Sequence, residues 1–161
     1  MKRARSTRRN KQNARAVHAR TIVVMSSYPA PDDRRGRRLY ATGNLTKEIF
    51  ADDCRFTDPT NDVVGLSRYL TALGLLFDPA TSSVDLFNIA VTGPHTIEAD
   101  WSLQGYLRFP WKPRVEPYNG HTVYTVGEES GVIESQFQTW SISGAKALAE
   151  SFTPTTGAVE N

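Results

Sequence analysis

Cysteine is nearly absent. Cys54 is the only one, so no intramolecular disulfide and no cysteine-cluster metal site can form, which excludes a disulfide-stapled secreted scaffold. Long apolar runs are also scarce: the longest in the first forty residues is Ile22 to Met25, far short of a signal-peptide core or a membrane span. No transmembrane segment is expected. Glycine-rich phosphate loops and nucleophile elbows are missing, and His95 and His121 lack the neighbouring cysteines or helical spacing that a metal site needs. No cofactor and no metal are expected. Hydrophobic residues make up 39% of the 161 positions, below the roughly 45–50% of an average soluble domain. Part of the chain therefore lies outside the core, leaving room for one compact domain and a tail.

What is missing from the first 30 residues is acidic charge, of which there is none. The formal net charge of +2 hides a strong asymmetry: residues 1–38 hold 12 basic and 2 acidic side chains, a net +10, whereas residues 39–161 hold 7 and 15, a net −8. A basic leader mixed with Ser, Thr, Asn and Ala has the composition of an organelle transit peptide, because import needs a positively charged stretch too polar to fold alone. Val17-His18-Ala19 is similar to a plastid processing site. The alternatives are a basic arm that binds nucleic acid or acidic lipid, or a translation start at Met25. The expected organisation is a leader over 1–30, a domain over 32–153 and a tail over 154–161. The acidic domain gives no reason to expect a nucleic-acid partner.

Within the domain, Pro29 and Pro31 close the leader, and Asp32-Asp33 suit the first turn of a helix that Gly43 ends. Asn44 can cap a second, short helix over Leu45 to Phe50. Cys54 to Asp58 reads as a short strand stopped by Pro59. A third helix is predicted over Val63 to Phe77, with Leu66, Tyr69, Leu70, Leu73, Leu76 and Phe77 on one stripe. The period then changes from 3.6 to 2. Val84 to Val91 is a strand, and Ile97, Ala99, Trp101, Leu103, Gly105, Leu107 and Phe109 alternate with polar residues along the next. Asn119 to Val126 and Val132 to Ile142 complete an antiparallel meander, and Ser143 to Phe152 adds one or two helical turns. This pattern is α+β: a curved antiparallel sheet wrapped around N-terminal helices, with a conical pocket between them.

The runs TGNLTKEIFADDCRFTDPT at 42–60, YLRFPWKP at 106–113 and W-S-I-S…AL…FTP at 140–154 together resemble an uncharacterised conserved family of cyanobacterial, algal and plant plastid proteins. That family is similar to a branch of the nuclear transport factor 2-like, or SnoaL-like, superfamily. The resemblance covers residues 39–153. It implies the cone-shaped α+β fold and a plastid address, but no activity, since the superfamily includes isomerases, dehydratases, cyclases, epoxide hydrolases and binding modules. One departure is the first helix. Long in such folds, it is confined here to Asp32 to Thr42 and carries Arg34, Arg35, Arg37 and Arg38.

Asp58 is the candidate general base, provided burial raises its pKa; the competing reading is that Asp58, Thr60 and Asn61 cap exposed backbone N–H groups at a helix start. Relatives often carry His or an acid at positions like Gln136 and Gln138. An amide orients a ligand but exchanges no proton near neutral pH, which favours binding over acid–base catalysis. His121 reads as a polar wall residue or, alternatively, a base. The Phe109 to Pro117 hairpin is stiffened by three prolines and displays Trp111 among Arg108, Lys112 and Arg114, a partner surface unless Trp111 folds back to cap the cone.

Three functions follow. The first is binding of a small apolar molecule without catalysis, in a pocket lined by Trp101, Leu103, Tyr124, Gln136, Gln138 and Trp140. The second is an isomerase or cyclase-like enzyme using Asp58, with Tyr106, Tyr124 or His121 as hydrogen-bond donor. The third is an interaction scaffold using the FPWKP hairpin, with a homodimer formed through the outer sheet face. The leader makes its own prediction: residues 1–40 fused to a fluorescent reporter carry it into plastids, and a diffuse cytosolic or nuclear signal overturns the assignment.

Overall fold

The computed structural model describes residues 47–78 and 80–154. The expected helix over Asp32 to Thr42, the leader, Gly43, the Asn44 cap and all of the tail beyond Pro154 lie outside the described residues. After a single 3-10 turn, Lys47–Ile49, the chain forms β1 (Phe50–Thr57), β2 (Asp62–Val64), helix α1 (Leu66–Leu76), β3 (Ser83–Gly93), β4 (Thr96–Tyr106), β5 (Arg114–Val126), β6 (Ile133–Trp140) and helix α2 (Gly144–Phe152). The strands make one curved sheet in the order β2-β1-β6-β5-β4-β3. The β3 to β6 run is an antiparallel meander. β1 lies parallel to β6, with Phe56 opposite Gln136, so the sheet is mixed rather than wholly antiparallel. A first strand that returns by way of α1 and the meander arrives beside the last strand pointing the same way.

Local departures from the predicted elements have physical causes. The helix expected over Leu45 to Phe50 is reduced, in its described part, to the 3-10 turn, and Phe50 instead opens β1 as a buried strand residue. Val63 and Val64, expected in the third helix, belong to β2, where β-branched side chains suit an extended backbone. The Arg55 guanidinium forks onto Asp62, with Nε–Oδ1 at 2.8 Å, and holds that hairpin. β5 begins five residues earlier than its periodicity suggested, through Pro117. Leu103 pairs with Tyr118 and Gly105 with Val115, so Glu116 and Pro117 share one opposing residue in a bulge, where a missing N–H costs no ladder bond.

The interior has two parts. Ile49, Phe50, Cys54, Phe56, Leu66, Tyr69, Ile97, Ala99, Tyr124, Val126 and Ile133 form a packed cluster. Trp101, Leu103, Leu107, Val115, Tyr118 and Phe77 form a second. Leu73 touches both. The end of α1 is tied to the end of β4 by Asp78 N–H to Tyr106 O at 2.9 Å and Arg108 N–H to Leu76 O at 2.9 Å. The Cys54 thiol has no exposed surface. Burial, followed by the charges of Asp53 and Glu134, pushes its pKa up to about 12, so it stays a protonated, inert core group at neutral pH.

Trp101 stands opposite Gly120 across the β4–β5 ladder, and a Cβ on Gly120 would lie 2.2 Å from Trp101 Cζ2. The Gly120→Ala substitution is expected to destabilise the fold by about 1–3 kcal/mol, because the indole must move within a packed wall. Urea unfolding measures this, and an unchanged midpoint contradicts it.

Candidate functional site

A cavity of about 450 Å³ lies between the inner face of the sheet, α1 and α2. The alternation along β4 and β5 creates its wall, since successive side chains point to opposite faces. Trp101 and Leu103 point inward from β4, Tyr118 from β5, and Gln138 and Trp140 from β6. Trp101 donates from Nε1 to Thr122 Oγ1 at 2.8 Å, a fully buried bond that fixes the ring. Tyr118 meets Trp101 edge-on, with centroids 6.0 Å apart, and Trp140 at 5.5 Å. At the inner end, the Phe56 and Tyr69 rings stack at 3.8 Å and 8°.

Four of the six expected pocket residues, Trp101, Leu103, Gln138 and Trp140, line this cavity. Tyr124 and Gln136 do not. Tyr124 belongs to the packed cluster, and Gln136, almost fully buried, donates from Nε2 to Tyr69 Oη at 3.1 Å. Both are buried in the packed part of the interior beside the stacked pair.

Asp58 borders the cavity, but its carboxylate is used by its own turn. Oδ1 accepts from Thr60 N–H at 2.7 Å, Thr60 Oγ1–H at 2.8 Å and Asn61 N–H at 2.8 Å. This is the backbone-capping role weighed above. The turn, however, leads into β2 rather than a helix, and α1 starts after Gly65 without a side-chain cap. His121 lies on the opposite face of the sheet. Its Nδ1 is 2.7 Å from Asp100 Oδ1 and its Nε2 is 3.6 Å from Glu98 Oε2. The imidazole and Asn88 hold the Asp100 carboxyl below the usual carboxylate range. Tyr106, Tyr124 and His121 are all outside the cavity lining, so the structure does not bring the proposed donors to Asp58. Among the described residues no group of three metal-ligating side chains occurs, and no helix is long and apolar enough to cross a membrane.

The proline-rich hairpin serves the cavity. Phe109 lines it, Trp111 stacks on Phe109 with centroids 5.0 Å apart, and Trp111 Nε1–H donates to the Ser151 carbonyl of α2 at 2.9 Å. Lys112 closes the turn through its N–H to Phe109 O at 2.9 Å. Arg108 donates to Gly74 O at 3.0 Å, and Arg114 pairs with Glu116 at 3.5 Å. The basic residues flanking Trp111 therefore have partners within the chain. At its other end, α2 meets the Asp58 turn so closely that a Cβ on Gly144 would lie 2.6 Å from Pro59 O. Ser143 caps the helix by accepting from Lys146 N–H at 3.2 Å.

Sequence reasoning missed the part played by α2. Ala147, Leu148, Glu150, Ser151 and Phe152 line the cavity, yet no α2 residue is fully buried, and Leu148 and Phe152 remain 52% and 74% exposed. The spacing of Ala147, Leu148, Ser151 and Phe152 on one helical face was the available signal. Two polar atoms are enclosed here without a hydrogen-bond partner among the described residues: Trp140 Nε1 and Glu150 Oε2. Glu150 Oε1 has only Lys146 Nζ, at 3.7 Å.

A match to the family described as Uncharacterized conserved protein (DUF2358) spans residues 36–135. No curated protein matches the chain. Among solved structures, one similar to it is a protein named as a SnoaL-like polyketide cyclase from Jannaschia sp. CCS1, with 18% identity, TM-score 0.54, and coverage of 73% of this chain and 89% of that one. A phenazine biosynthesis-related protein from Pseudomonas aeruginosa has 14% identity and TM-score 0.53, over 91% and 94% of the two chains. A protein with a ketosteroid isomerase-like fold from Catenulispora acidiphila, in complex with trimethylamine, has 15% identity and TM-score 0.50, over 81% and 99%. The fold is thus the SnoaL-like, nuclear transport factor 2-like cone.

The latch between hairpin and helix is testable. Trp111→Phe keeps the stacking on Phe109 and removes one hydrogen bond, worth about 0.5–1.5 kcal/mol. Amide exchange should quicken several-fold in Gly144–Phe152 and stay unchanged in β4 and β5. Equal protection of α2 in both proteins contradicts the latch.

Proposed function

The chain belongs to the conserved family DUF2358, and on that footing we propose that it binds a small, largely apolar molecule within the cone, without catalysing a reaction on it. The observation that carries this reading is the cavity: about 450 Å³, walled mainly by aromatic and aliphatic side chains, with a few polar groups among them. That size and lining are those of a pocket for a small organic ligand. Trp140 Nε1, enclosed with no acceptor among the described residues, offers a donor to an oxygen on the ligand.

The isomerase or cyclase reading has less support. A general base needs a free carboxylate within reach of the substrate and a donor opposite it. Asp58 instead accepts three short hydrogen bonds within residues 58–61, and none of its suggested donor partners lines the cavity. The scaffold reading has less support, because the Trp111 Nε1–H is bonded to α2, while the residue stays 39% exposed. A plastid location remains part of the proposal and rests on the composition of the leader; a homodimer through the outer sheet face is an alternative that the polar side chains of that face, such as Gln104, Tyr106 and Arg108, do not require.

Native mass spectrometry of the protein purified from its own organism is the test. An adduct of small-molecule mass is expected, lost in Ala147→Trp, which fills the cavity from a helix with no buried residue. A chain that carries no adduct, or only a second copy of itself, overturns the ligand-binding reading.

A further inference from the structure

Among the described residues, the charge on the cavity wall is of one sign. Of the 23 described residues that line it, two are carboxylates, Asp58 and Glu150, and none is Lys, Arg or His. Eight are aromatic. The two acids are not equivalent. Asp58 spends its hydrogen-bonding capacity on its own turn, whereas Glu150 Oε2 is enclosed with no partner among the described residues. The one cation beside Glu150 among the described residues, Lys146, sits 3.7 Å from the other oxygen, with 58% of its side chain exposed, while the Glu150 side chain is only 18% exposed. That pair engages one oxygen through an exposed ammonium and leaves Oε2 without a donor among the described residues.

A carboxylate oxygen enclosed without a donor favours a ligand that brings a donor or a positive charge. Aromatic faces attract cations through the ring quadrupole, most strongly where water is displaced, and Trp and Tyr do so best. Trp101, Tyr118 and Trp140 form a contiguous aromatic series along the wall. An anionic ligand would meet two negative charges and the negative faces of the rings, with no basic side chain among the described lining residues to receive it.

We propose that the occupant of the cavity is an organic cation, a protonated or quaternary amine on an apolar body, with its nitrogen at Glu150 and its body against the aromatic wall. This inference rests on the ligand-binding reading above and narrows it to one chemical class.

The test uses the full chain and one fluorescent neutral probe, N-phenyl-1-naphthylamine, displaced at neutral pH by three compounds of the same shape: 3-phenylpropylammonium, 3-phenylpropan-1-ol and 3-phenylpropanoate. The ammonium compound is expected to displace the probe at a concentration at least tenfold lower than the alcohol, with the carboxylate weakest. In Glu150→Gln the ratio between ammonium and alcohol should fall close to one, while the thermal melt reports that the variant is folded. An alcohol or carboxylate that matches the ammonium compound in the unmodified protein overturns the cation assignment and leaves the cavity reading intact. So does an ammonium preference that survives in folded Glu150→Gln. If the neutral probe itself fails to bind, the cavity reading falls and the cation assignment with it.

Discussion

The six-membered ring of Trp101 occupies the space above Gly120 on the neighbouring strand, and its N–H is held by Thr122 two residues further along the same strand. The largest side chain is thereby accommodated by the smallest residue, and the buried hydrogen bond removes the cost of enclosing the indole nitrogen. With Trp101 fixed, Tyr118 and Trp140 have a surface to lean on. The two hydrophobic clusters then divide the interior: one packed around Ile97 and Ile133, and one at the aromatic wall, beside which the cavity lies.

The cavity is covered by a helix that contributes little to the core. α2 has no fully buried residue and is held at its two ends, by Gly144 against the Asp58 turn and by Trp111 on the Ser151 carbonyl. The rigidity of the Phe109 to Pro117 hairpin thus has a purpose within the chain, since Pro110 and Pro113 keep Trp111 in place to hold the helix end. A segment with few buried contacts lies at the low end of local stability.

The same geometry separates the polar groups that catalysis would have to combine. Asp58 is at the rim, Tyr124 is buried beside the stacked Phe56 and Tyr69, and His121 is on the far side of the sheet with Asp100 and Glu98. The fold hosts cyclase and isomerase names among its solved examples, but a shared fold at such low identity transfers no reaction. Among the described residues, the lining of the cavity consists of aromatic and aliphatic walls, two acids and no base.

Much of this architecture was legible in the residue order. The strict alternation from Ile97 to Gly105 determined β4 and which of its side chains face inward, because a strand has a period of two regardless of its neighbours. The stripe from Leu66 to Phe77 determined α1 to within a few residues, and the motifs at 42–60, 106–113 and 140–154 pointed to the fold. Other features depended on partners distant in sequence. The parallel pairing of β1 with β6 joins Phe56 to Gln136, and the Pro117 bulge exists only opposite Gln104. Local periodicity determined which face each side chain takes within its own element. Whether that face meets packed core, cavity or water was decided only when segments some eighty residues apart came together, and for that reason Glu150, on a short polar helix, became part of the cavity wall.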